Sequence, residues 1–382
     1  MNLKGIEPTP SPNTMKLIVD DQLPSGKNMN FKKDEGDEAP SPLKELLSIE
    51  GVKGLYYVAD FIALERNAKF DWKVILPEAR RIFGNESAAI NEDSNNDKAP
   101  NEDFEEVKVQ IQKFRGIPMQ IKLIKGDEEK RVGLPERFMT ISLKAQSASD
   151  NLVMERQWVD QSPRYGDMDA IGAEVAEEIS AAYDEKRLIQ LKELAFEQNK
   201  PEFQENKRKA YKVTLEMMSN TDWKERYAAL EQMEPTEDDL IVLDKALEDE
   251  KTSIRRLATV YLGMIEDKKV LSYMAKALVD KSVTVRRTAG DCMSDLGFTE
   301  GIPYMIKALK DPNKLVRWRA AMFLYEVGDE SAIPALQAAK EDPEFEVAMQ
   351  VNMALERIKG GEEAKGSVWK QMTETMQKKG SN

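Results

Sequence analysis

Short apolar runs of period two open this chain, and apolar faces of helical period close it. Residues 14–19 (TMKLIV) alternate and predict a strand. Pro8, Pro10 and Pro12 hold the stretch before it extended. Residues 24–41 are polar and rich in proline and glycine, which predicts a loop. Ser41-Pro42 can cap and open a helix over 43–47 that stops near Gly51. Residues 55–58 and 61–64, with Ala59-Asp60 between them, predict a hairpin. Asp71 caps a helix carrying Val74, Ile75, Ile82 and Phe83, with Pro77 making its first turn irregular. Residues 85–103 have almost no large apolar group and read as an acidic linker. Beyond it, Val107, Val109 and Ile111 alternate, as do Met119, Ile121 and Leu123, with Gly116-Ile117-Pro118 between: a hairpin. Phe138, Thr140 and Ser142, and then residues 152–158, predict further strands. From Asp169 to about Gln198, Ile171, Val175, Ile179, Ala182 and Leu188 keep helical spacing, which predicts one long helix with Asp167 or Asp169 as N-cap.

After residue 210 the pattern repeats every 31 residues. Asp249, Asp280, Asp311 and Asp342 share one position of the repeat; Ile254, Val285, Val316 and Val347 share another. Ala258, Ala289, Ala320 and Val351 follow, then Tyr261, Cys292, Phe323 and Ala354, then Ile265, Leu296, Val327 and Ile358. Within one copy the steps of four, three and four residues trace one face of a helix. A helix precedes it, carrying Leu271, Met274 and Leu278 in one copy and Ile302, Met305 and Leu309 in the next, with Pro303 and Pro334 in first-turn positions. Paired helices at this period predict an α-solenoid over 204–360. The 223–229 stretch is a looser first copy, and the last copy has Ala348 where others have Arg255, Arg286 and Arg317. Residues 361–382 read as a flexible tail.

Composition narrows the chemistry. The 382 residues are 41% apolar and 33% charged, with no apolar run long enough to span a bilayer and no secretory h-region in the first seven residues, so a cytoplasmic location is expected. There is no histidine and one cysteine, Cys292. A Ser-His-Asp or Cys-His centre, an intrachain disulfide and a four-cysteine cluster are therefore excluded. The net charge of −13 points away from nucleic acid and from anionic membranes. The acidic runs at 34–38, 102–106 and 237–239 read as solvated surface more readily than as metal sites.

Two resemblances sharpen this reading. Asp249…Ile254-Arg255…Ala258, Asp280…Val285-Arg286…Ala289 and Asp311…Val316-Arg317…Ala320 resemble short bacterial HEAT-like repeats. Residues 7–17 (EPTPSPNTMKL), with Ser41-Pro42-Leu43, Ile49-Glu50-Gly51-Val52-Lys53, Asp60-Phe61-Ile62 and Trp72, resemble the N-terminal domain of Nfu/NifU-type scaffold proteins. In that family iron–sulfur chemistry belongs to a separate domain with a Cys-x-x-Cys pair, and this chain has none. The combination resembles the conserved virulence factor C family of Gram-positive bacteria. The resemblance implies an α+β Nfu-like domain (1–84), the linker (85–103), a small α+β middle domain (104–200) and an all-α HEAT-like solenoid. It also implies a link to virulence-factor expression.

The expected function is that of a non-catalytic adaptor binding protein partners through two docking modules, with no cofactor and no metal. An accessory role in iron–sulfur biogenesis is the alternative, and an enzyme of the lyase or glycosylase kind found among HEAT-like proteins ranks last. The recurring arginines allow two readings. Asp249, Arg255, Asp280, Arg286, Asp311 and Arg317 form a ladder in which each arginine pairs with a loop aspartate of the neighbouring repeat, or the arginines form a basic stripe. Arg256, Arg287, Trp318 and Arg319, one or two positions on, are the candidates for solvent-facing partner contacts. Cys292, whose repeat equivalents are Tyr261, Phe323 and Ala354, is expected to be a buried packing thiol.

Overall fold

The computed structural model describes residues 1–9, 11, 13–24, 27–84, 106–126, 128–149, 151–197 and 211–361. The linker at 85–103, Pro10, Pro12 and the tail beyond 361 lie outside these residues. The chain divides into two compact units, Met1–Glu105 with Met305–Asn382, and Glu106–Tyr304.

In the first unit the N-terminal domain is an antiparallel five-stranded sheet in the order β1-β2-β5-β4-β3. Its strands are β1 (Leu3–Pro8), β2 (Thr14–Val19), β3 (Asn28–Lys32), β4 (Val52–Val58) and β5 (Phe61–Arg66). Alternation on β2 buries Met15, Leu17 and Val19, and β5 adds Ile62 and Leu64 on the same face. Two helices cover that face, α1 (Leu43–Ser48) through Leu43, Leu46 and Leu47, and α2 (Trp72–Ile82) through Trp72, Ile75, Leu76 and Ala79. Asp71 caps α2, its carboxylate accepting from the Lys73 amide at 2.9 Å. The helix runs on through Pro77.

Two expectations need correction here. The stretch 24–41 is not all loop: β3 pairs with β4, and Lys33–Glu38 forms a 3-10 turn. As an edge strand β3 half-buries only Met29 and Phe31, too weak an alternation to stand out among charged neighbours. Ser41-Pro42 does not cap α1 as supposed: Pro42 is at the N-cap without a side-chain bond, and the Ser41 hydroxyl donates to Glu45.

In the second unit the middle domain is an antiparallel sheet, β8-β7-β6-β9, built from β6 (Glu106–Phe114), β7 (Ile117–Lys125), β8 (Glu128–Gly133) and β9 (Arg156–Tyr165). The β6–β7 turn is Arg115-Gly116, both at positive φ (46° and 84°), and Pro118 is tolerated where the register shifts at Lys113. The helices are α3 (Glu136–Gln146), α4 (Leu152–Glu155), α5 (Met168–Ala182) and α6 (Glu185–Glu197). The strand expected around 138–142 is α3: Phe138, Ile141, Ser142 and Ala145 are the buried positions, at helical spacing. Residues 152–158 divide between the single turn α4 and the start of β9. The single long helix expected from 169 is two, broken at Tyr183-Asp184. Asp167 caps α5 and the Asp184 carboxylate accepts from the Arg187 amide at 2.6 Å to start α6.

The helical repeats follow: α7 (Trp223–Glu231), then the pairs α8 (Leu240–Leu247) with α9 (Thr252–Met264) and α10 (Leu271–Ala277) with α11 (Val283–Leu296). Next come α12 (Ile302–Ala308) with α13 (Lys314–Val327) and α14 (Ile333–Ala338) with α15 (Phe345–Lys359). The second helices stack on one another, α9 on α11 and α13 on α15. The 31-residue positions Ile254, Val285, Val316 and Val347 are each 0–1% exposed, as are Ala258, Ala289, Ala320 and Val351. The fold is therefore multidomain, with two α+β domains and an all-α HEAT-like region.

Candidate functional site

The arginine and aspartate of each repeat have a shared geometry. Asp249, Asp280, Asp311 and Asp342 occupy the turn between the two helices of a pair, and each carboxylate accepts from a backbone amide two residues on, at 2.7–2.9 Å. The arginine near the start of the second helix has two duties. Its Nη1 donates to carbonyls of its own turn: Arg255 to Asp249 and Glu250, Arg286 to Asp280, Arg317 to Asp311. In Arg255 and Arg317 the other nitrogens reach forward to the next turn's carboxylate, Arg255 to Asp280 at 2.7 and 3.1 Å and Arg317 to Asp342 at 2.7 and 2.9 Å. Arg226 of α7 makes the same forward fork to Asp249, at 2.6 and 2.9 Å. The bonds from Asp249 and Asp342 hold the Arg226 and Arg317 guanidiniums above their ordinary range. These charges lock one turn to the next and are not a free basic stripe.

The four residues proposed for partner contact are placed differently from one another. Arg256 is only 7% exposed and Trp318 only 3%, so neither offers a solvent-facing contact, which corrects the sequence expectation for both. Once the first arginine faces the turn, the next residue is rotated about 100° around the helix, into packing. Arg287 is half-buried with its guanidinium 5.4 Å from the Tyr165 ring centre, and Arg319 lies 5.0 Å over the Trp318 ring.

Cys292 is half-buried where α9 meets α11, short of the full burial expected, with its thiol donating to the Thr259 carbonyl at 3.6 Å, and desolvation pushes its pKa well up. A Cβ on Gly263 would lie 2.5 Å from its sulfur and 2.8 Å from its own Cβ. Gly263→Ala is accordingly expected to destabilise the chain by about 1–3 kcal/mol in chemical denaturation, despite the better helix propensity of alanine. Transposing the small residue, Gly263→Ala with Cys292→Gly, is expected to recover most of that loss.

Sequence reading missed a buried contact within the first unit. Arg66, at the end of β5, is pinned by Asn13 Oδ1 (3.2 Å) and the Phe70 carbonyl (3.1 Å), and lies 5.1 Å from the Trp72 ring. Its Nη2 donates to Glu346 of α15 at 2.9 Å, the two side chains being 2% and 5% exposed. Phe345 and Met349 of the same helix pack on the N-terminal core, and Lys73 lies 5.2 Å over the Phe345 ring. Burial lowers the pKa of Arg66, and the Glu346 charge opposes that. The N-terminal domain thus rests on the last repeat. The only sequence signal was the charged Glu346 beside an apolar Phe345 in a terminal copy lacking its arginine.

The chemistry of the donors does not fit an iron site. The one cysteine is held against the Thr259 carbonyl, and among the described residues no group of three or more His, Cys, Asp and Glu could hold a metal ion. The acidic runs serve turns: Glu35 accepts from the Lys32 amide and Asp239 from Thr236, while 102–105 lie outside the described residues. No helix among the described residues is long and apolar enough to cross a membrane.

Fold and contacts together define a helical-repeat protein that carries two α+β domains. Comparison with known families agrees segment by segment: the scaffold protein Nfu/NifU N-terminal family matches residues 3–89, a virulence factor family 112–191, and HEAT repeats 275–356. The uncharacterized protein YpgR of Bacillus subtilis (strain 168) is 59% identical over 99% of this chain and 100% of its own length. Conserved virulence factor C of Staphylococcus saprophyticus is 46% identical over 97% and 98%. The chain belongs to the conserved virulence factor C family. A crystal structure of protein SAV1430 from Staphylococcus aureus also matches, at 29% identity over 22% of this chain and 99% of that one, with a TM-score of 0.21.

Proposed function

We propose that this chain is a non-catalytic adaptor of the cytoplasm that binds protein partners and, as its resemblance to conserved virulence factor C suggests, bears on virulence-factor expression through them. The observation that carries the reading is the docking of the N-terminal domain on α15 through Arg66 and Glu346. It joins the Nfu-type module to the terminal repeat, so a partner meets both at once. The sequence suggested two docking modules joined by an acidic linker; docking favours one pre-arranged surface, which lowers the ordering cost of binding. The repeat charges are spent on holding turns together, which leaves shape and the outer helix faces for recognition. The iron–sulfur reading finds no donor set among the described residues to support it.

Affinity capture tests this. Full-length chain and its Glu346→Ala variant are each immobilised and bound proteins are quantified. The same partner set is expected on the wild type and a several-fold loss on the variant. Turnover of a substrate by the purified chain, or metal retained in stoichiometric amount, would count against the adaptor reading.

A further inference from the structure

Within the second unit, a cavity of about 230 Å³ opens between the sheet face of β6 and β9 and the helices α5, α7 and α9. Its lining includes the apolar Val175 and Ile179 of α5 and Leu257 and Val260 of α9. It also includes Arg164 and Arg256. Arg164 Nη2 donates to Glu178 at 2.7 Å, while its Nη1, 3.3 Å from Glu174, and Glu178 Oε1 have no hydrogen-bond partner among the described residues. Arg256 is equally deep, and its Nε likewise has no hydrogen-bond partner among the described residues. A buried guanidinium left short of partners is costly, and proteins keep such a group where a ligand completes it. Burial, with Arg164 adding to it and Glu178 and Glu174 opposing it, pushes the Arg256 pKa down to about 10, so the group stays a cation near neutrality.

The remaining charges on the lining fit that reading. Lys113 is positive and donates to the Tyr183 hydroxyl at 3.3 Å, and Glu231 is neutralised by Arg187 at 2.6 Å. The lining therefore carries three cations, Lys113, Arg164 and Arg256, against Glu178 and the already paired Glu231. We propose that this cavity binds a small organic carboxylate with a short hydrocarbon portion, its carboxylate on Arg256 and its carbon chain against Val175, Ile179, Leu257 and Val260. A doubly charged phosphate suits the site less, since Glu178 and the apolar lining both oppose it.

Full-length protein is used for the test, with butyrate as probe and chloride or inorganic phosphate at matched ionic strength as comparisons. Saturation-transfer NMR should show magnetisation passing from the protein to the butyrate methyl group. Butyrate near saturation should raise the thermal midpoint by about 2–4 °C. Arg256→Met should have a higher midpoint than wild type without ligand and should no longer respond to butyrate. The proposal is overturned if wild-type protein shows no saturation transfer, if phosphate stabilises it more than butyrate, or if butyrate shifts wild type and variant alike. None of these outcomes depends on the adaptor reading.

Discussion

Glu346→Ala is expected to destabilise the chain by about 3–5 kcal/mol, the usual cost of stranding one member of a buried ion pair. Arg66 would keep its neutral acceptors, Asn13 and the Phe70 carbonyl, but would lose its ion pair with Glu346, at a side-chain exposure of 2%. The guanidinium cannot escape by losing its proton near neutral pH. The double variant Arg66→Met with Glu346→Leu removes both charges and fills the space, and it is expected to regain most of the loss. Urea unfolding checks this. Because the chain has several domains, the transition should be followed by the fluorescence of Trp72 in the N-terminal core and by helical circular dichroism separately. A loss of less than about 1 kcal/mol in Glu346→Ala would place the pair among exposed bridges of little consequence.

Arg255→Met is expected to cost a similar amount, about 3–5 kcal/mol, for a different reason. It removes the fork to Asp280 and also the donor to the carbonyls of Asp249 and Glu250, so one turn loses its clasp and the next turn's Asp280 loses its guanidinium and keeps the Ser282 amide. The contrast with Arg256→Met, one residue on, is the informative part. The same exchange of arginine for methionine is expected to destabilise at 255 and to stabilise at 256. Composition alone makes no such distinction; the rotation of the helix does. Opposite changes in denaturation midpoint on the one scaffold would show that the ladder, and not general charge, holds the repeats.

What could be read from the chain follows from the range of the forces concerned. The repeats were legible because Ile254, Val285, Val316 and Val347 recur in identical surroundings, so one pattern is stated four times. The hairpins β4–β5 and β6–β7 were legible because both faces of the argument, alternation and turn, are local. Residues 138–142 misled because Phe138, Thr140 and Ser142 mimic alternation, while burial selects Phe138, Ile141, Ser142 and Ala145, at helical spacing. The break between α5 and α6 was hidden because apolar spacing continues across Asp184, whose capping role competes with a helix-internal one. Arg256 and Trp318 were placed on the surface by residue type, and only the packing of neighbouring elements reveals them as buried. The contact between Arg66 and Glu346 joins residues 280 apart in sequence, beyond any local pattern.

Hydrogen–deuterium exchange on full-length protein and on Glu346→Ala tests most directly whether the N-terminal domain and the terminal repeat behave as one body. Amides of β5, α2 and α15 are expected to lose protection together in the variant, with those of α9 and α11 unchanged. Loss confined to α15, with the N-terminal domain exchanging as in the wild type, would contradict the docking on which the proposed function stands.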